Sequence, residues 1–141
     1  MAHNPINHPA RPIYRVISGL IGLYLVLFGV LGLFVDGRVF GQGTNVANSL
    51  LSIALGAVIL IATVVGRNVD AAVNKYLGYA LMALGLLTLA FLRTDANVLN
   101  HTVSTSIVWM LLGITLLVAG MYGKVGTSDE QEAWEKGRLV F

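Results

Sequence analysis

The chain has 141 residues, of which 56% are hydrophobic, 11% are charged and none is cysteine. Soluble domains carry about 25% charged residues, so this composition excludes an ordinary soluble enzyme domain. The lack of cysteine excludes disulfides and thiolate chemistry, and a net charge of +2 gives no support for nucleic-acid binding.

The first segment of the chain, residues 1–15, holds all three prolines, Pro5, Pro9 and Pro12. Proline lacks a backbone N–H and fixes φ, so this spacing disfavours a helix. The pattern predicts an extended cytoplasmic arm, and we expect its prolines to contact a partner protein.

Four long apolar runs without a charged residue follow, at 16–35, 46–66, 76–92 and 103–123. About 20 apolar residues in a helix cross a hydrocarbon core of about 30 Å. Helices satisfy their own backbone hydrogen bonds in lipid. The sequence therefore predicts an all-α integral membrane bundle of four transmembrane helices over 16–123. The first run is longer than the apolar region of a signal peptide, so we expect a retained helix.

Basic residues predict the orientation of the bundle. Seven of the nine Lys and Arg residues lie in the N-terminal tail, the second loop and the C-terminal tail, whereas the first and third loops have one each, Arg38 and Arg93. This distribution predicts a multi-pass protein of the plasma membrane with both termini in the cytoplasm.

The two halves of the chain resemble each other, which indicates a duplicated helical hairpin. In the second and fourth runs, Ser49–Gly56 matches Ser106–Gly113. Two other matches pair Gly22 and Gly29 with Gly78 and Gly85, and Asn45-x-x-Asn48 with Asn97-x-x-Asn100. Because both hairpins start and end on the same side, the two repeats are predicted to be parallel.

Small residues lie in the runs at helical spacing. In lipid, helices associate by close packing, which small residues permit. One interpretation is packing within the bundle, and the other is a face for a partner's helix. The predicted packing or interface residues are Ser18, Gly22, Gly29, Ser52, Gly56, Gly85 and Gly113.

The sequence gives little support for catalysis, a cofactor or a metal site. Ionisable residues inside a membrane are usually functional. All seven acidic residues lie outside the apolar runs, so the runs offer no such site. His3 and His8 lie in the N-terminal tail and His101 in the third loop, so these side chains are not expected to meet.

The asparagines beside the runs are interpreted as helix caps, with a head-group or partner-loop site as the alternative.

The C-terminal segment, 124–141, is predicted to contain a short helix. Thr127 or Ser128 can begin it, with Glu130 or Gln131 as the second member of a capping box. Trp134 and Phe141 are apolar residues of a polar tail. They are expected to lie on the bilayer surface or to contact a partner.

The glycine-containing hairpins and the segments ending in Gly56 and Gly113 resemble an actinobacterial family of four-span membrane proteins of unknown function. The resemblance covers about residues 14–123. Members of that family often have histidine where this chain has Ser52 and Trp109, so no functional residue is carried over.

Small proteins of this kind in such bacteria are also known as accessory subunits of the supercomplex of menaquinol–cytochrome c reductase with cytochrome c oxidase. The resemblance thus implies a non-catalytic accessory subunit whose partners are other integral membrane subunits, within the lipid bilayer. The alternatives are a small homo-oligomeric transporter or channel and a lipid-binding envelope protein.

Overall fold

The computed structural model describes residues 5–35 and 37–139. These residues form five helices and one short β-hairpin. In chain order the elements are α1 (Arg11–Phe34), β1 (Arg38–Val39), β2 (Gln42–Gly43), α2 (Val46–Val65), α3 (Val69–Ala90), α4 (Val103–Met121) and α5 (Ser128–Leu139).

The helices α1 to α4 are each long and apolar enough to cross a membrane, which confirms the predicted all-α bundle of four spans. We call the end of the bundle with the described parts of both tails the termini end. The opposite end, with the β-hairpin and the α3–α4 loop, is called the hairpin end. The cytoplasmic location of the termini end stays a prediction.

Helix α1 begins inside the segment that was predicted to be an extended arm. It starts at Arg11, so the prediction for 1–15 is wrong from that residue onward. Pro12 lies in the first turn of the helix. The N–H groups of a first turn have no intrahelical partner, so proline there costs no hydrogen bond and its fixed φ suits the helix.

Helix α3 also begins earlier than predicted, at Val69 instead of Tyr76, and it contains Asp70 and Lys75. The prediction that charged residues lie outside the spans is therefore wrong for this helix. Asp70 is in the first turn, where the positive end of the helix dipole favours a carboxylate.

Several helix starts are capped by side chains. Asn45 Oδ1 accepts a hydrogen bond from the Asn48 N–H at 2.8 Å, which fits the interpretation of Asn45 as a cap. At α5, Thr127 Oγ1 accepts from the Glu130 N–H and Glu130 Oε2 accepts from the Thr127 N–H. This is the capping box that the C-terminal sequence predicts.

The four spans pack as two hairpins, because α1 contacts mainly α2 and α3 contacts mainly α4. The same positions are buried in both hairpins. Every buried residue of α2 has a buried counterpart 57 positions later in α4: Asn48 and Thr105, Ser49 and Ser106, Ser52 and Trp109, Gly56 and Gly113, Ile59 and Leu116, Ala62 and Ala119. Five of the seven buried positions of α1 recur 56 positions later in α3: Ser18 and Asn74, Gly22 and Gly78, Leu25 and Leu81, Gly29 and Gly85, Gly32 and Thr88.

This register corrects one of the three sequence matches. Asn45 corresponds to Thr102, 57 positions later, and each residue is the extended residue that precedes its helix. Asn97 and Asn100 instead lie in the loop before Thr102, so the match with Asn45 and Asn48 is wrong. Asparagine is common at both caps and turns, and for this reason the two motifs look alike.

The middle of the bundle contains buried apolar side chains from both hairpins. Leu25 and Leu81 are equivalent in the repeat, as are Ile59 and Leu116, and all four are 0% exposed. They belong to one apolar cluster. The two hairpins therefore meet in a shared apolar core.

Candidate functional site

His101 is the centre of a polar network at the hairpin end of the bundle. Its side chain is buried although it belongs to the α3–α4 loop. Nδ1 lies 2.9 Å from Thr88 Oγ1 on α3, and Nε2 lies 3.2 Å from Asn48 Oδ1 on α2. The imidazole edge also packs against the ring of Trp109 on α4, with centroids 4.7 Å apart. One loop side chain thus joins three spans.

The network continues on both sides of the histidine. Asn48 Nδ2 donates to Thr44 Oγ1 at 3.0 Å. Thr88 Oγ1 and Ser106 Oγ lie 2.8 Å apart. These groups are buried, and an unpaired polar group in such a place would be costly. The network therefore fastens the hairpin ends of α2, α3 and α4 to one another.

The α3–α4 loop holds His101 in place through its backbone. Asn97 Oδ1 accepts from the His101 N–H at 3.0 Å, and Asn97 Nδ2 donates to the His101 carbonyl at 2.9 Å. Asn100 Nδ2 donates to the Thr44 carbonyl of the other hairpin at 2.9 Å. The interpretation as helix caps is therefore wrong for Asn97 and Asn100, whose side chains hydrogen-bond to the backbone of loops.

A neutral imidazole fits this network. One ring nitrogen donates and the other accepts, and Asn48 and Thr88 can each supply the complementary group. Burial lowers the pKa of His101 from 6.5 to about 4, because the charged imidazolium loses its hydration. The described groups that contact the ring are all uncharged. His101 is therefore neutral at neutral pH.

The repeat explains how the two hairpins came to differ here. His101 corresponds to Thr44, 57 positions earlier, and Thr88 corresponds to Gly32. In the first hairpin Gly32 lies so close to Ser49 that a Cβ would overlap its hydroxyl group. In the second hairpin the equivalent space holds the hydrogen bond between Thr88 and Ser106. The second hairpin thus contributes His101 and Thr88 to the network where the first hairpin has Thr44 and Gly32.

A second polar cluster lies at the termini end. Arg11 Nη2 is 3.7 Å from Asp70 Oδ2, and Arg11 Nε donates to the Gly123 carbonyl at 3.0 Å. Asp70 and Asn74 are both buried, and one oxygen of each, Oδ1, has no hydrogen-bond partner. The ion pair ties the starts of α1 and α3 to the end of α4.

The small residues predicted to pack helices all lie inside the bundle. A Cβ on Gly56 would lie 2.5 Å from the Gly22 carbonyl oxygen and 2.8 Å from the Val26 nitrogen. In the other hairpin a Cβ on Gly113 would lie 2.7 Å from the Gly78 oxygen. Gly29 and Gly85 lie equally close to α2 and α4, and Ser18 and Ser52 are 0% exposed. These faces are occupied by the chain's own helices, so they are not open to a partner's helix.

The described parts of the tails fasten to each other. Asn7 Nδ2 donates to the Gly126 carbonyl at 2.9 Å, and Asn7 Oδ1 accepts from the Gly126 N–H at 3.2 Å. Asn68, in the α2–α3 turn, makes the same pair of bonds with Val125, at 2.9 and 2.7 Å. The ring of Tyr122 stacks on Tyr14 at 5.6 Å. The tail segments next to the bundle are thus held by the chain itself.

The tail residues predicted to contact partners have different environments. Pro5 is half-buried, whereas Pro9 and Pro12 are exposed. Trp134 is half-buried within α5, and Phe141 lies outside the described residues, as does His3.

Sequence reasoning missed His101 and Asp70 as buried side chains. His101 lies next to a predicted span, and an isolated polar residue there is typical of an exposed loop. Asp70 has Arg67 and Lys75 nearby in the sequence, whereas its ion-pair partner, Arg11, is in another helix. Among the described residues there is no group of three His, Asp or Glu side chains that could hold a metal ion.

No protein-family model, curated protein or solved structure matches this chain.

Proposed function

We propose that the chain is a non-catalytic accessory subunit of a larger membrane protein complex. In this proposal the four-helix bundle is a scaffold in the bilayer and α5 is the element that attaches to a partner. The observation that carries the proposal is the exposure of α5.

Helix α5 has 12 residues and lies outside the bundle. Its described side chains, at positions 128–137, are exposed except for Gln131 and Trp134, which are half-buried. Isolated helices shorter than about 12–15 residues are marginally stable in water. The capping box at Thr127, the ion pair of Glu132 with Lys136, and the hydrogen bonds of Gln131 with Asn7 and Glu135 each support the helix only weakly. A partner surface would add to this stabilisation.

The charge of α5 favours a protein partner over the bilayer surface. The helix has four acidic residues, Asp129, Glu130, Glu132 and Glu135, and two basic residues, Lys136 and Arg138, so its net charge is −2. The cytoplasmic leaflet is anionic and attracts basic segments. An acidic helix is suited instead to a partner surface that carries Lys or Arg side chains.

The packing of the bundle supports a scaffold over the alternative of a transporter or channel. Leu25, Leu81, Ile59 and Leu116 are fully buried in its apolar core. A solute path through the centre of one copy would have to displace these side chains. The respiratory part of the proposal rests on the sequence resemblance, which makes a menaquinol–cytochrome c reductase/cytochrome c oxidase assembly the first partner to test.

The proposal is tested by affinity purification of the tagged protein in a mild detergent. We expect integral membrane partners in fixed stoichiometry by mass spectrometry, and haem absorption bands if the complex is respiratory. The matched control is a chain that ends at Gly126, which keeps the four spans and lacks α5. It should recover much less of the partner. A homo-oligomer without other subunits would overturn the proposal and favour the transporter or lipid-binding alternatives.

A further inference from the structure

The turn of the β-hairpin holds an aromatic residue in a backbone conformation that favours glycine. Phe40 and Gly41 form the turn between β1 and β2, and their φ values are 51° and 74°. Turns of two residues with positive φ are typically Asn-Gly or Gly-Gly, and a bulky side chain is strained in this region. The Phe40 side chain is 67% exposed, so packing within the chain does not compensate for most of this strain. Strain of this kind is typical of functional positions.

The Tyr24 ring shows how deep the turn lies beside α1. The centres of the Phe40 and Tyr24 rings are 6.4 Å apart, and a phenol ring centre is about 4 Å from its own Cα. The Phe40 ring centre is therefore within about 10 Å of the Tyr24 Cα. The end of α1, at Phe34, is ten residues or about 15 Å beyond Tyr24. The Phe40 ring thus lies about 5 Å or more inside the end of this span.

The surface of α1 remains apolar up to this end. Leu31, Leu33 and Phe34 are 38%, 42% and 84% exposed, and α1 is long and apolar enough to cross a membrane. Exposed apolar side chains on a spanning helix are suited to lipid tails, which are as apolar as leucine. The hydrocarbon core is therefore expected to reach the last turn of α1, and the level of the Phe40 ring is within it.

The backbone of the hairpin is bonded in the way that this level requires. Non-helical backbone at membrane depth is tolerated only where protein groups satisfy its polar atoms. Ser104 Oγ donates to the Gly41 carbonyl at 3.0 Å, and Thr105 Oγ1 donates to the Gly43 carbonyl at 2.8 Å. Thr102 Oγ1 accepts from the Gly43 N–H at 3.1 Å. Hydroxyl groups at the start of α4 thus replace the water that a loop outside the membrane would use.

We propose that the β-hairpin is a lipid anchor, with the Phe40 ring inserted among the acyl chains of the leaflet at the hairpin end. The hairpin enters the hydrocarbon core beside α1 and returns to the same side of the membrane. Transfer of the ring out of water is favourable, and it offsets the strain of the positive φ. Lipid is the occupant because the level of the ring along α1 already surrounds its exposed face with acyl chains. The anchor fixes the depth of the hairpin end in the leaflet.

The test uses the full-length protein in phosphatidylcholine nanodiscs, where backbone amides are observed by NMR. One probe is a phosphatidylcholine with a nitroxide near the carbonyl end of an acyl chain, and the other is a gadolinium chelate that stays in water. We expect the lipid nitroxide to abolish the Gly41 amide signal and the chelate to leave it unchanged. Asp95, exposed in the α3–α4 loop at the same end, is the control, and its amide should show the opposite response.

Two variants separate the role of the ring from that of the hairpin fold. Asparagine tolerates positive φ better than phenylalanine, so Phe40→Asn should keep the hairpin, with unchanged hydrogen exchange of the Gly43 amide. The Gly41 signal should then survive the lipid nitroxide and be lost with the chelate. Val98→Asn, at a position that is 69% exposed at the same end, is the matched control and should change neither response.

Three results would overturn the proposal. Loss of the wild-type Gly41 signal with the chelate would place the turn in water. A wild-type signal that neither probe affects would mean that a protein surface covers the turn. An unchanged response to the lipid nitroxide in Phe40→Asn would show that the ring is not the anchor. The wild-type responses need no substitution, so they decide the location of the turn even if the variant loses the hairpin.

Discussion

His101 gives the bundle a stability that depends on pH. Its pKa is about 4 in the folded protein because of burial and 6.5 in an ordinary environment. The unfolded chain therefore binds more protons than the folded chain between these two values, and stability falls as the pH is lowered from 6.5 to 4. The loss reaches about 3 kcal/mol at pH 4 and levels off below that pH.

The variant His101→Gln isolates this contribution. We expect the free energy of unfolding of the wild-type protein, measured by denaturant titration in micelles, to fall more steeply between pH 7 and pH 4 than that of the variant. Carboxylates titrate in the same range, but they are common to both proteins. Parallel pH profiles for the two proteins would show that the imidazole is not kept neutral by the fold.

The glycines at the hairpin crossings make a second residue-level prediction. Gly56→Ala and Gly113→Ala would each place a Cβ within 2.5–2.7 Å of backbone atoms of the facing helix. Overpacking of this kind costs about 1–3 kcal/mol. Gly19→Ala is the matched control, because its Cβ would meet only Thr63 Cγ2, at 3.9 Å. Thermal unfolding in detergent should rank both crossing variants below Gly19→Ala, and equal stabilities would contradict the packing.

The sequence revealed these glycines but not the polar residues. A glycine in an apolar run is typical of a close contact between helices, so the spacing alone predicts Gly22 and Gly56 as packing residues. The partner of a buried polar side chain lies in another element, as Thr88 and Asn48 do for His101. The polar network therefore could not be predicted from local sequence.

At the scale of the elements, the prediction was good for the middle of each span and poor for two of the starts. Apolar runs mark the residues that face lipid or the core. A helix can continue beyond such a run, as α1 does through Pro12 and α3 does through Asp70. Tertiary contacts stabilise these extensions. The ion pair of Arg11 with Asp70 joins the first turns of α1 and α3, and both turns lie outside the apolar runs.

The fastening of the tails is tested by two substitutions that preserve the backbone. Asn7 and Asn68 have φ values of 55° and 71°, which glycine adopts without strain. Asn68→Gly should accelerate hydrogen exchange of the Val125 amide, and Asn7→Gly that of the Gly126 amide, each by at least about fivefold, because each amide loses its acceptor and each variant also loses the bond that the asparagine donates. Each variant is the control for the other. Unchanged exchange at both amides would show that these segments are held by other contacts.

At the scale of the whole molecule, the protein is a duplicated hairpin whose two copies meet in a packed centre. Equivalent positions supply fully buried core residues, Leu25 with Leu81 and Ile59 with Leu116. The copies have diverged at the hairpin end, where Thr44 corresponds to His101. The repeat was detectable in the sequence because small residues recur in order. Its register needed the structure, because asparagine motifs with different roles looked alike.

Helix α5 is the element proposed to attach the bundle to another membrane protein. The most direct measurement places a photo-cross-linking residue at the position of Ala133, which is exposed on α5, and compares it in cells with the same residue at Arg93, exposed at the hairpin end. We expect a cross-link from position 133 to one other membrane protein, and much less from position 93. No cross-link from position 133, or equal cross-linking from both positions, would show that α5 is not the attachment point.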